Sequence, residues 1–128
     1  MNDQEIETEI QTKGLTAPRV TPQDIEDSIG AEFFFCGQDA YESDSRESNR
    51  ISGDMDIQSV HNAMRTLTLC VLVLKNGFTV TGESACASPE NFDAELGRKI
   101  ARQNAVSKVW PLMGYALKER IAAFGGQQ

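Results

Sequence analysis

Residues 67–84, LTLCVLVLKNGFTVTGES, decide the fold. The first eight are dense in Leu, Val and Thr, as strands are. Asn76-Gly77 then marks a tight turn, and FTVTGES runs back as a second strand. A two-residue turn at Asn76-Gly77 pairs Lys75 with Phe78, so that facing residue numbers sum to 153. In that register Leu67, Leu69, Val71 and Val73 share a face with Val80, Gly82 and Ser84. Cys70, Leu72 and Leu74 share the other face with Thr79, Thr81 and Glu83. The returning strand alternates and can present its Thr/Glu face to water. The outgoing strand is apolar on both faces, so something must cover each of them. Cys70, Leu72 and Leu74 are therefore the expected interface, covered by another segment of the chain, a second subunit or a partner. Two strands alone are marginal in water, so a third strand or a helix must complete the layer.

The helix follows at once in SPENFDAELGRKIARQNAVSKVWPLMGYALKERIAAF, residues 88–124. Ser88 is a suitable cap, Pro89 suits a first turn, and Glu90 and Asp93 sit near the positive end of the helix dipole. Phe92, Leu96 and Ile100 form an apolar row. Ala94, Gly97, Ala101 and Ala105 form a row of small residues beside it, which allows close approach to a sheet or a helix. Pro111 removes an amide donor and disfavours helix at Trp110, which predicts a break near 110–111. Upstream, Thr21, Pro22 and Asp24 read as a helix start, with Ile25, Ile29 and Phe33 on one face. Phe33-Phe34-Phe35 also suits a short strand.

The expected fold is α+β. A small antiparallel sheet built on a hairpin at about 64–85 packs against a long, Pro-interrupted helix at about 89–123, with an N-terminal helix at about 22–35. Residues 1–20 read as a mobile acidic arm and 21–124 as one domain. Residues 37–58, rich in Gly, Ser, Asp and Asn, read as a disordered or weakly ordered loop, and 125–128 as a frayed end.

Charge is divided unevenly along the 128 residues. Residues 1–58 carry a net −10 and residues 59–128 a net +3, giving −7 overall. The acidic part is either a solvated arm or a segment that covers the basic part or imitates nucleic acid. No apolar run reaches the ~18 residues a membrane helix needs. MNDQEIETEIQTK lacks the basic-then-apolar order of a leader, so a cytoplasmic location is expected. Cys36, Cys70 and Cys86 are odd in number, without CxxC spacing, and read as free thiols. One histidine, His61, makes no zinc spacing, and no phosphate loop or dinucleotide fingerprint is present. No metal, cofactor or catalytic residue is expected.

LKNGFTVTGESACASPENFDAELGRKIA (74–101) and WPLMGY (110–115) closely resemble a family of small tailed-phage proteins. That family is named after gene product forty-nine of phage N-four and gene sixty-six of phage S-f-six. The likeness covers residues 66–120, and PRVTPQDIEDSI (18–29) resembles its longer members. The matching residues include Asn76, Gly77, Phe78, Gly82, Ser84, Asn91, Asp93, Gly97, Trp110, Pro111 and Tyr115. Most are turn, cap or packing types, and the resemblance carries over no activity. It implies a phage or prophage accessory protein acting in the bacterial host cytoplasm.

Three functions are compatible with these residues. The first is a non-enzymatic interaction protein that forms a homo-oligomer or binds a host protein, countering a host process. The second is a nucleic-acid module using the helix cations Arg98, Lys99, Arg102 and Lys108. The third is an oligomer holding a nucleotide or small anion near Asn91 and the same cations.

Overall fold

The computed structural model describes residues 2–15, 17–44 and 51–125. Helix α1 (Asp3–Thr12) is followed by α2 (Pro22–Ser28), strand β1 (Ile29–Cys36), and α3 (Gly37–Ser43). Then come α4 (Ile57–Arg65), β2 (Leu67–Leu74), β3 (Thr79–Ala85), a 3₁₀ turn (Pro89–Asn91) and α5 (Ala94–Ala123). The strands form one antiparallel sheet in the order β1-β2-β3, so the apolar strand β2 is central. The fold is α+β, with the expected hairpin and long C-terminal helix.

The turn differs from the expected one. The Leu74 amide donates to the Phe78 carbonyl at 2.8 Å, and the Gly77 amide donates to the Leu74 carbonyl at 2.8 Å. Three residues, Lys75, Asn76 and Gly77, therefore close the hairpin. Only Gly77 has positive φ, at 90°. A two-residue type I′ turn needs positive φ at Asn76 as well, whereas a three-residue loop needs it only at the glycine. Asn76 instead accepts the Phe78 amide through its side-chain oxygen at 3.0 Å. Facing residues pair Cys70 with Gly82 and Leu72 with Val80, a sum of 152. The one-residue shift exchanges the faces of the returning strand.

This corrects the expected interface. Cys70, Leu72 and Leu74 share a face with Val80 and Gly82, and α5 of the same chain covers it. Cys70 and Leu72 are fully buried, and Leu74 nearly so. They form one core with Ile25, Val80, Ala101, Ala105 and Val109. Burial pushes the Cys70 thiol up from its ordinary value, so this group packs as a hydrophobe.

The small residues predicted on α5 form its sheet-facing side. Gly97, Ala101 and Ala105 are all buried there, followed by Val109. The strand backbone at Gly82 lies directly against that row. A Cβ at residue 82 would overlap the Ala101 carbonyl oxygen and the Ala105 amide nitrogen, and would lie 2.9 Å from the Ala105 Cα.

Other boundaries shift for local reasons. The N-terminal helix stops at Ser28, and Phe33-Phe34-Phe35 join β1, where they pair with β2. Gly30 disfavours helix and sits at an irregularity in the register between Ile29 and Ala31. The long helix is capped by Asp93, whose carboxylate accepts the Leu96 amide at 3.1 Å, while Ser88 makes no capping bond. It runs through Pro111 without a break, because Val109, Trp110 and Met113 pack on the core from both sides of the proline. The 1–20 segment contains α1, and the 37–58 segment contains α3 and the start of α4. Residues 45–50 of that segment lie outside the described ones, as do 126–128.

Candidate functional site

The four cations predicted to grip phosphate do not form one stripe. At ~100° per residue, Lys99 and Lys108 lie about 180° apart around α5. Arg102 is already occupied. Its Nη2 donates to Glu26 Oε2 at 2.8 Å and its Nε donates to Glu32 Oε1. Hydrogen bonds to Glu26 and Glu32 hold its guanidinium further above its ordinary range. This pairing ties α5 to α2 and β1. Lys99 meets Glu95 at 3.4 Å on an exposed turn. Arg98 and Lys108 are exposed and lie nearly three turns apart along the helix. Asn91 is exposed in the 3₁₀ turn, away from the start of α5 proper, where Asp93 fills the capping position.

An open cavity of about 430 Å³ lies between α1, α2 and α5. Its lining includes Asn2, Glu26, Lys99, Arg102, Gln103 and Trp110. Trp110 donates its indole N–H to Asp3 at 3.0 Å, which pins α1 to α5. The same helix is tied to the loop before α2 by Arg19, whose two terminal nitrogens donate to Glu7 at 2.6 and 2.7 Å. That pairing holds the Glu7 carboxyl down at about 2. With Arg102 neutralised by two glutamates, the cavity offers an anion only Lys99, itself paired. Among the described residues, no group of three or more His, Cys, Asp or Glu is arranged to hold a metal ion. His61 packs edge-on against Tyr41, with ring centroids 5.3 Å apart.

What remains is the sheet face turned away from α5. Strand alternation brings Phe33 and Phe35 of β1 onto it, beside Leu69, Val71 and Val73 of β2 and Thr79, Thr81 and Glu83 of β3. Phe33 is 52 % exposed and Phe35 46 %. Leu69, Val71 and Val73 are half-buried, while the alternate residues of β2 are fully enclosed. α3 reaches the sheet at one end, where Gly37 lies against Leu67. No described helix covers the aromatic pair. Contiguous apolar surface of this kind on a small chain marks a contact site more often than chance exposure does. The double apolarity of β2 signalled such a face in the sequence. The hairpin register decided which face it was, and Phe33 and Phe35 were legible once the three phenylalanines are read as strand.

The sequence places the chain in a class of phage proteins. Residues 20–121 match the model of the phage protein (N4 Gp49/phage Sf6 gene 66) family, and the chain belongs to that family. No curated protein and no solved structure matches it. No described helix is long and apolar enough to cross a membrane.

Proposed function

We propose that this is a non-catalytic phage accessory protein that works in the host cell by binding another protein chain through the uncovered sheet face. One observation carries the reading. Phe33 and Phe35 stand about half in solvent beside a half-buried Leu69-Val71-Val73 row, on a sheet whose other side carries the buried core of β2 and β3. Aromatic residues in a charge-poor patch are the usual anchors of protein contacts. The scattered, partly neutralised cations of α5 support the nucleic-acid and anion readings less well.

The test places a photo-crosslinking phenylalanine analogue at position 33 and, as a control, at position 99 on the outer side of α5. Irradiation during infection is expected to yield a protein adduct at 33 and none at 99. Absence of any adduct at 33, or equal labelling at both positions, refutes the reading.

A further inference from the structure

We propose that the groove beneath α1 is a helix-binding site and that α1 is its displaceable occupant. The partner that displaces it is an amphipathic helix of another protein, with two carboxylates one turn apart and bulkier apolar residues than those of α1. This groove lies between α2 and α5 and is separate from the open sheet face.

α1 is attached to the domain without being part of its core. None of its ten residues is buried, and the core around Ile25, Leu72 and Val109 includes none of them. It also carries its own cap: the Asn2 side chain accepts the Glu5 amide, and Glu5 accepts the Asn2 amide. The part of the chain matched to the family begins at residue 20. Val20, Pro22 and Trp110, which wall the groove, belong to that part, and α1 does not.

One side of α1 makes the attachment. Asp3, Ile6, Glu7 and Ile10 recur at three- and four-residue spacing and line the groove together. Asp3 accepts the Trp110 indole N–H, and Glu7 accepts both terminal nitrogens of Arg19. Ile6 and Ile10 supply the apolar contact, yet Ile6 stays 43 % exposed. Helices that dock in grooves use this pattern of anchors. The seat is poorly filled. Beside the 430 Å³ cavity that reaches Arg102, a second of about 250 Å³ opens between Ile6, Ile10, Val20, Pro22 and Trp110. Such space forfeits dispersion contacts. An element held by two polar links and incomplete apolar contact opens ahead of global unfolding.

Two features select the occupant. Arg19 and the Trp110 indole are donors, so the incoming helix needs carboxylates spaced as Asp3 and Glu7 are. The unfilled space sets its bulk. The tethered α1 meets the groove at an effective concentration on the order of millimolar. The α1 of a second copy brings the same side chains, leaves the same space and gains nothing over it. A helix with an aromatic residue or Met where α1 has Ile6 or Ile10 fills the space and wins. α1 therefore sets an affinity threshold for the groove.

The full chain and labelled peptides of residues 2–15 test this. By hydrogen exchange, α1 amides should exchange roughly 100-fold faster than those of α5 around Val109. In Glu7→Gln, whose α1 is loosened, the native-sequence peptide should bind by fluorescence anisotropy with saturation below about 1 mM and return Trp110 emission to the wild-type position. Ile10→Asp, which loosens the apolar contact instead, should accept the peptide as well. A peptide carrying Ile6→Phe should bind about tenfold tighter than the native sequence. The proposal is overturned if α1 exchanges in step with α5, if the peptide fails to bind a variant whose α1 exchanges freely, or if Ile6→Phe brings no gain. A wild-type dimer in sedimentation velocity that Glu7→Gln dissolves would mean that copies exchange α1, and overturns the separate partner.

Discussion

Replacing Gly82 by alanine should be among the most damaging single-methyl changes this chain can accept. Strand β3 touches α5 backbone to backbone at this point. The added Cβ would overlap the Ala101 carbonyl oxygen and the Ala105 amide, and would stand 2.9 Å from the Ala105 Cα. None of these atoms is the end of a flexible side chain, so nothing can rotate away. The helix must retreat from the sheet, loosening the packing of Ala101, Ala105 and Val109 over Cys70 and Leu72. Overpacking usually costs 1–3 kcal/mol, and a backbone-limited case belongs at the upper end, about 3 kcal/mol. For a chain of this size that lowers Tm by roughly 10 °C. Two further substitutions calibrate the reasoning. At Gly97 the added methyl meets the Thr68 hydroxyl at 2.9 Å, a side-chain atom rather than the backbone of a facing element. Gly97→Ala should therefore fall within about 1 kcal/mol of wild type, since helix propensity offsets the crowding. At Gly114 nothing lies within 4 Å, and alanine should stabilise by about 0.5–1 kcal/mol. Urea and thermal unfolding followed by circular dichroism give the order directly. A Gly82→Ala melt within about 2 °C of wild type, or a Gly97→Ala loss as large as that of Gly82→Ala, refutes the close-approach argument.

Two other outcomes test the edges of the fold. Glu7 is held at about 2 by Arg19, below its ordinary 4.5, so its contribution is complete above pH 4.5 and is lost as pH falls toward 2. Trp110 reports on it, because Asp3 of α1 binds the indole. Its emission should shift to the red as pH falls through that window, and Glu7→Gln should already show the shift at neutral pH. An identical acid profile in the variant would refute the anchoring of α1 by this pair. Pro111→Ala restores an N–H to the carbonyl of Ser107 inside a continuous helix. It should stabilise by about 2 kcal/mol, after allowing for the freer unfolded chain. A loss of stability on urea unfolding would show that the proline is needed for packing rather than tolerated.

The sequence by itself determined the local units. Alternation and turn chemistry marked β2, β3 and the glycine turn. The spacing of Gly97, Ala101 and Ala105 marked the close-packing side of α5, and β2's apolar residues required cover on both faces. Tertiary structure decided how those units combine. Asn-Gly suits both a two- and a three-residue loop, and only the packed sheet selects between them. That choice put Leu72 under the helix and left Val71 facing outward, so the expected interface became core and the opposite face became the candidate site. The three phenylalanines fit helix or strand locally, and the need of β2 for a second neighbour settled them as β1. Arg102 looked free because sequence separation hides its partners: Glu26 and Glu32 lie some seventy residues away and meet it only once α2, β1 and α5 are stacked. Pro111 predicts a break from local backbone chemistry alone. The helix runs through it because contacts on both sides, made by other elements, outweigh one missing hydrogen bond.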